Sequence, residues 1–166
     1  AYGALASTHY AIEDIAILRS LPHIAVLSPA DTTETRELVL QTYQQPGPAY
    51  IRMTKPERNL VPLNVKTIFS KPSIIKEGEP GVIITTGEVL ELGLKIVEKC
   101  QAKGLNLALV SMHTLKPVDE KAFFAALQTK LHVFTIEEHR VAGGLASVVA
   151  ELMMRSDIQA KLTTFG

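Results

Sequence analysis

One histidine stands where a polar side chain commonly meets a ligand. His9 follows a segment of small residues, Gly3 to Thr8, and directly precedes a predicted helix. An imidazole can exchange a proton near neutral pH, and it can hydrogen-bond a cofactor amine or a developing alkoxide. From the residue type alone, a surface or helix-capping role competes with a catalytic one. His9 is therefore a candidate acid–base residue.

One arginine is a candidate for binding an anion. Arg52 directly follows the run Ala49-Tyr50-Ile51, which predicts a short strand. Open α/β sheets place ligand contacts beyond the carboxyl ends of their strands, and a guanidinium there can hold a phosphate through two hydrogen bonds. An ion pair with a surface carboxylate is the alternative. Lys55 and Arg58 lie in the same loop, where solvated charges are common.

The other polar clusters are better explained by structural roles. Glu13 and Asp14 are adjacent, so on a helix their side chains point about 100° apart and cannot share one acid–base site well. A favourable interaction with the helix dipole is the preferred explanation. Gly143-Gly144 lacks the third glycine of a dinucleotide-binding motif and is interpreted as a tight turn.

The composition excludes several classes of protein. Lysine plus arginine equals aspartate plus glutamate at 17 each, so no net charge favours nucleic acid or an anionic membrane. The longest apolar runs fall far short of the ~20 residues that span a bilayer. Cys100 is the single cysteine, predicted to be a buried, inert thiol, and the lack of a disulfide favours the cytoplasm. No metal-binding spacing surrounds the remaining histidines, which are interpreted as structural: His23, His113 and His132.

Strand and helix signals alternate along most of the chain. Strands are predicted at residues 24–27, 49–52, 82–86, 107–110 and 133–136, with amphipathic helices between them. This alternation predicts an α/β fold with parallel or mostly parallel sheets and helices on both faces. Residues 53–72 hold three prolines and no clear period. The predicted organisation is two consecutive units, an incomplete domain at 1–60 and a second domain at 73–166, joined by a linker at 61–72.

Several motifs, in their order along the chain, resemble the transketolase family, especially its split, two-subunit members. They are Thr8–Asp14, Leu27–Asp31, Pro48–Arg52, the run Ser111–Asp119, and Glu137–His139 followed by Gly143–Leu145. Each motif alone is weak evidence, whereas the ordered set is specific. The resemblance implies the end of a pyrimidine-binding domain followed by a Rossmann-like transketolase C-terminal domain. It also implies transfer of a two-carbon ketol unit between sugar phosphates.

The resemblance assigns roles to both candidate residues and implies missing parts. His9 is expected at the reactive end of thiamine diphosphate, as a catalytic and cofactor-binding residue, and Arg52 at the substrate phosphate. The run Glu137-Glu138-His139 follows a predicted strand; the resemblance places it in the C-terminal domain, away from thiamine, which implies a structural or subunit-interface role. The chain contains no Gly-Asp-Gly motif for magnesium and diphosphate, and the cofactor-activating glutamate would lie upstream of Ala1. Magnesium is therefore expected on a missing N-terminal domain or a partner subunit, within a homodimer or a heterotetramer.

The segment before His9 departs from the family pattern. Where classical transketolases have aspartate followed by Gly-Pro-Thr, this chain has Leu5-Ala6-Ser7-Thr8. An apolar side chain cannot hydrogen-bond a substrate hydroxyl, so substrate preference is expected to differ. Two alternatives stay open: a beta-type subunit of a 2-oxo-acid dehydrogenase or a deoxyxylulose-phosphate synthase-like enzyme, and a non-catalytic interaction domain that retains the fold.

Overall fold

A computed structural model of the protein describes residues 11–53, 59–127 and 129–166. The helices within these ranges are α1 (Asp14–Ser20), α2 (Thr32–Thr42), α3 (Leu90–Gln101), α4 (Glu120–Leu127) and α5 (Leu145–Met153). The strands are β1 (Ala25–Leu27), β2 (Ala49–Ile51), β3 (Ser73–Lys76), β4 (Gly81–Thr85), β5 (Ala108–Ser111), β6 (Thr114–Lys116), β7 (His132–Ile136) and β8 (Lys161–Phe165). None of the described helices is long and apolar enough to cross a bilayer.

The strands form two sheets that share one stretch of chain. The smaller sheet has the order β2-β1-β6, in which β1 and β2 are parallel and β6 is antiparallel to β1. The larger sheet has the order β3-β5-β4-β7-β8 and is parallel except for its edge strand β3. Because only Met112 and His113 separate β5 from β6, the chain passes directly from the larger sheet into the smaller one. The predicted α/β fold with mostly parallel sheets is confirmed.

The larger sheet reverses its direction of growth between β4 and β7. From β4 the chain crosses through α3 to β5 on one side, and then through α4 to β7 on the other side. Ligands of open α/β sheets bind at such a switch point, beyond the carboxyl ends of the strands. The two turns at this point are the 3-10 segment Gly87–Val89 after β4 and the segment Glu137–His139 after β7.

Apolar side chains from both sheets are buried together. One cluster combines Ile15 of α1 and Val26 of β1 with Ile84 of β4 and residues of α4 and α5. A second cluster packs Leu60 and Val61 against Ile83 and against residues of α3 and β5. Leu60 and Val61 of the proline-containing middle segment are thus part of the core, because their side chains pack on the second face of the larger sheet.

The beginning of α2 shows why the sequence predicted a helix there. Asp31 is the N-cap, and its Oδ1 accepts a hydrogen bond from the Glu34 amide at 2.8 Å. The Glu34 carboxylate in turn accepts from the Ala30 amide at 2.7 Å. The other Asp31 oxygen accepts from the amides of Leu60 and Val61, each at 2.7 Å. One buried carboxylate therefore caps the helix and also fixes the segment that leaves the smaller sheet.

The structure corrects two local expectations. Cys100 is only partly buried, because it lies near the carboxyl end of α3, where the helix leaves the sheet. Strands β3 and β6 were not predicted, since each is short and each is antiparallel to its neighbour at the edge of its sheet.

Candidate functional site

The carboxyl ends of strands from both sheets meet at one place. The Gly87 amide, just after β4, donates to the Ser28 carbonyl, just after β1, at 2.9 Å. The Arg52 amide, just after β2, donates to the Leu27 carbonyl at 2.8 Å. The four strand ends of β1, β2, β4 and β7 thus surround one region, which we call the interdomain crevice. Among the residues that the structure describes, the ionisable side chains of this crevice are Asp14, Arg52, Glu88, Glu137, Glu138 and His139.

Arg52 supplies the positive charge among these side chains, since Nε2 of His139 accepts a hydrogen bond from the Ala16 amide. Its side chain is 16% exposed, and its Nε lies 3.7 Å from Oδ2 of Asp14. Burial raises the pKa of Glu137, and the guanidinium charge of Arg52 is among the influences that oppose this rise. The structure therefore places the sequence-predicted arginine in a crevice rather than on an open strand edge, with acidic groups around it.

Asp14 lies opposite Arg52 at the first turn of α1. Its side chain is only 10% exposed. Oδ2 accepts a hydrogen bond from the Tyr50 hydroxyl at 2.6 Å, and Oδ1 lies 3.8 Å from Nε2 of His139. Burial, followed by the hydrogen bond to Asp14, raises the pKa of Tyr50 to about 12. Asp14 is thus the centre of a cluster of four polar side chains.

The two adjacent acids at the start of α1 have different surroundings. The Glu13 carboxylate pairs with the exposed Arg140 side chain at the surface. Asp14, one residue later, turns into the crevice instead. The angular separation of the two side chains thus places Asp14 inside the candidate site. Asp14 also lies in the first turn of α1, so its interaction with the helix dipole stays a prediction.

Glu137 and its neighbours join the larger sheet to α5. The Glu137 carboxylate accepts hydrogen bonds from the amides of Leu145 at 2.6 Å and Ala146 at 2.9 Å, at the start of α5. Burial raises the pKa of Glu137, whereas these hydrogen bonds lower it. A Cβ on Gly144 would lie 2.0 Å from Glu137 Oε2, so this close approach requires glycine. The geometry agrees with a structural role for Glu137 and with a tight turn at Gly143-Gly144.

His139 connects the second unit to α1. Its Nδ1 lies 2.7 Å from the Arg140 carbonyl, and its Nε2 accepts from the Ala16 amide at 3.4 Å. The Arg140 amide also donates to the Ile12 carbonyl at 3.0 Å. The segment after β7 therefore holds the beginning of α1, which is the element that carries Asp14.

Glu88 and Glu138 form a carboxyl pair at the switch point of the larger sheet. A hydrogen bond between them lowers the pKa of Glu88 and raises that of Glu138. Burial adds to the rise in the pKa of Glu138 and opposes the fall in that of Glu88. The pair therefore joins the turn after β4 to the turn after β7.

Part of the predicted site lies outside the described residues. The residues of that site outside the described ranges are His9, the altered run Leu5 to Thr8, and the loop residues Lys55 and Arg58.

His113 is fully buried. Its Nδ1 lies 2.9 Å from the Thr114 hydroxyl, and burial lowers its pKa to about 4. It is a neutral structural residue, as predicted. Within the described ranges, no group of three His, Cys, Asp or Glu side chains is arranged to hold a metal ion.

Sequence reasoning missed three members of the crevice: Asp14, Tyr50 and Glu88. A signal existed for Tyr50, because residues two apart on a strand point to the same face and Arg52 was already a candidate. A signal also existed for Glu88, which follows the glycine at a strand end. For Asp14 the pattern gave no way to choose between it and Glu13, because both are acidic and both lie at the start of the helix.

Comparison with known proteins assigns the family. Residues 1–59 match the family profile of the transketolase pyrimidine binding domain, and residues 70–166 match that of the transketolase C-terminal domain. The chain belongs to the transketolase family.

Similar proteins include a section and a subunit of transketolases. A putative transketolase C-terminal section from Methanocaldococcus jannaschii is 31% identical, over 96% of this chain and 51% of the relative. One subunit of an apulose-4-phosphate transketolase from Phocaeicola vulgatus is 30% identical, over 98% of this chain and 53% of the relative. A solved split-gene transketolase, described as an inactive β4 tetramer, superposes with a TM-score of 0.86 at 30% identity, over 94% of this chain and 52% of that one. The chain spans about half the length of these relatives.

Proposed function

We propose that the chain is part of a thiamine-diphosphate-dependent transketolase that transfers a two-carbon ketol unit between sugar phosphates in the cytoplasm. The observation that carries the proposal is the position of Arg52. It follows a parallel strand, lies within the interdomain crevice, and belongs to a chain of the transketolase family. In this proposal residues 1–60 belong to the pyrimidine-binding domain, residues 61–72 are a linker, and residues 73–166 form the C-terminal domain.

Arg52 is proposed to bind the phosphate of the sugar substrate. A guanidinium binds a phosphate through two charge-assisted hydrogen bonds, which fix the orientation of the bound sugar as well as its affinity. The partial burial of Arg52 supports this role, because a less hydrated cation interacts more strongly with an anion. His9 is proposed to exchange a proton with the reacting sugar and to contact the cofactor.

Thiamine diphosphate, when bound, supplies the electron sink for cleaving the bond beside a ketose carbonyl. Among the described residues, Arg52 is the cation of the crevice that suits the phosphate end of the substrate. We place the magnesium and diphosphate ligands on an N-terminal domain or a partner subunit, within a homodimer or a heterotetramer. The relatives named as a C-terminal section and as one subunit of a transketolase support a second polypeptide or a longer chain.

The test is a transfer assay with the assembled enzyme, which consists of this sequence together with its N-terminal half or partner subunit. Wild type and Arg52→Ala are compared with a matched pair of acceptors, D-glyceraldehyde 3-phosphate and D-glyceraldehyde. In Arg52→Ala we expect KM for the phosphorylated acceptor to rise roughly tenfold to a hundredfold, which is the loss of affinity expected when a charge-assisted hydrogen bond is removed. KM for the unphosphorylated acceptor should change little. Equal effects on both acceptors would refute the phosphate role.

The same assembly separates the competing functions. Binding of thiamine diphosphate is followed by circular dichroism, and products are identified with a ketose donor and with a 2-oxo acid donor. Two-carbon transfer from the ketose supports the proposal. Decarboxylation of a 2-oxo acid without ketol transfer would instead identify a dehydrogenase-type or synthase-type enzyme. A complete absence of cofactor binding in the assembly would favour the non-catalytic interaction domain.

A further inference from the structure

We propose that Asp14 is a positioning residue for substrate binding, which holds the guanidinium of Arg52 in the orientation that receives the substrate anion. This inference rests on the proposed phosphate role of Arg52. It adds three groups to the substrate site: Asp14 of α1, the Tyr50 hydroxyl of β2, and His139 of the second domain, which contacts α1.

The geometry of the Asp14–Arg52 pair supports this role. Oδ2 of Asp14 lies 3.7 Å from Nε of Arg52, and both side chains are largely shielded from water, at 10% and 16% exposure. A guanidinium is planar and has five N–H donors in fixed directions. A carboxylate beside Nε therefore directs the terminal edge, which carries Nη1 and Nη2, away from Asp14. That terminal edge has the spacing that suits two oxygens of a phosphate.

The carboxylate is itself held in place through Oδ2. The Tyr50 hydroxyl donates to Oδ2 at 2.6 Å, and Tyr50 and Arg52 lie two residues apart at the end of the same strand. Oδ1 is buried and accepts no hydrogen bond from the described residues, and it lies 3.8 Å from Nε2 of His139. Buried carboxylates are retained when a nearby cation compensates for lost hydration. Arg52 is the charged partner that lies nearest to Asp14 in the described part of the chain.

The second domain takes part through His139. Its Nε2 accepts from the Ala16 amide, so it holds the same helical turn that carries Asp14. Its Nδ1 is directed to the Arg140 carbonyl. The C-terminal domain therefore supports Arg52 indirectly, through α1, in addition to any role in assembly.

The experiment uses the assembled enzyme and four variants. Asp14→Asn keeps the shape of the side chain and an acceptor for Tyr50 but removes the charge beside Arg52. Glu13→Gln is the matched control, because it removes one charge from the same helix at a position that faces the exposed Arg140. Arg52→Ala and the double variant with Asp14→Asn complete a cycle that isolates the coupling between the two residues.

We expect Asp14→Asn to raise KM for D-glyceraldehyde 3-phosphate about tenfold, with kcat and the KM for D-glyceraldehyde nearly unchanged. Glu13→Gln should leave both substrates unaffected. Added to Arg52→Ala, Asp14→Asn should have no further effect on either acceptor, since its influence passes through the arginine. A merely structural role would instead lower kcat for both acceptors or add its effect to that of Arg52→Ala, and either result would overturn the inference.

Two outcomes distinguish a failure of the phosphate role of Arg52 from a failure of the positioning role of Asp14. If Arg52→Ala affects both acceptors equally, the phosphate role fails and the positioning role fails with it. If Arg52→Ala is selective but Asp14→Asn is not, only the positioning role fails. Should Asp14→Asn not fold, Tyr50→Phe decides: it removes only the hydroxyl that holds Asp14, and a selective KM increase of a few-fold is expected. An unchanged KM in Tyr50→Phe would count against the inference.

Discussion

The buried carboxyl group of Glu34 makes a defined prediction about how stability depends on pH. Glu34 is fully buried in α2, and its Oε1 accepts a hydrogen bond from the Ser111 hydroxyl of β5 at 3.0 Å. Burial raises its pKa from 4.5 to about 7, although hydrogen bonds from Ala30 and Ser111 oppose the rise. Glu34 is therefore a titratable contact between α2 and the larger sheet.

The sign of the effect follows from the direction of the shift. Because the folded pKa lies above the unfolded one, the folded state holds the proton more tightly between pH 4.5 and about 7. The contribution of Glu34 to stability is complete below the unfolded pKa and is lost as the pH rises through the folded pKa. At about 1.4 kcal/mol for each pKa unit, the shift corresponds to a loss of roughly 3 kcal/mol in the free energy of unfolding.

Glu34→Gln tests this expectation. Glutamine resembles the protonated acid in shape and cannot ionise, so the variant should lack this loss of stability. The free energy of unfolding is measured by urea denaturation from about pH 5 to about pH 8 for the wild type, Glu34→Gln and Glu37→Gln. The last is the control, because Glu37 lies on the same helix and is partly exposed beside Arg36.

The comparison depends on the difference between the curves, because other carboxylates titrate in both proteins. The stability of Glu34→Gln relative to the wild type should increase by roughly 3 kcal/mol between the lowest and the highest pH. Glu37→Gln should run parallel to the wild type. A constant difference between wild type and Glu34→Gln would refute the reasoning, since it would show that Glu34 does not change its protonation in the folded state over this range.

Two further predictions concern His9 of the candidate site and Gly144, which precedes α5. His9→Ala in the assembled enzyme should reduce turnover by about 100-fold while the unfolding temperature stays the same, and normal turnover would remove His9 from the site. Gly144→Ala should destabilise the chain by about 2–3 kcal/mol in urea denaturation, because its Cβ would lie 2.0 Å from Glu137 Oε2. Gly104→Ala, where no atom lies within 4 Å but φ is +81°, should cost only about 1 kcal/mol; similar losses at both glycines would contradict the steric argument.

The two domains are more closely joined than their order in the sequence indicates. Strand β6 belongs to the segment after β5 but pairs with β1, and Ser111 of β5 contacts Glu34 of α2. His139 and Arg140 likewise contact the start of α1. A change in the C-terminal domain is therefore expected to reach Arg52 through neighbouring contacts, without any direct contact to the substrate.

The fold class was accessible from the sequence because its signals are local. The apolar run at Val82–Thr86 and the helical spacing after it each reflect burial of one short element, and Asp31 with Glu34 marks a helix start by spacing alone. The ordered motifs then pointed to the family that the comparisons show. Strand β6 was missed because its partner lies about ninety positions earlier in the chain, and no local pattern records that pairing.

The sequence by itself thus determined the alternating elements, the family and Arg52 as a candidate. Only the tertiary structure decided that Asp14, rather than Glu13, faces Arg52. It also decided that the Glu34 side chain of α2 is buried against β5, where its pKa is about 7. The physical reason is that hydrophobic periodicity reports which face of one element is buried. The ionisation of a carboxylate and its choice of partner depend instead on desolvation and charge from residues far away in the chain.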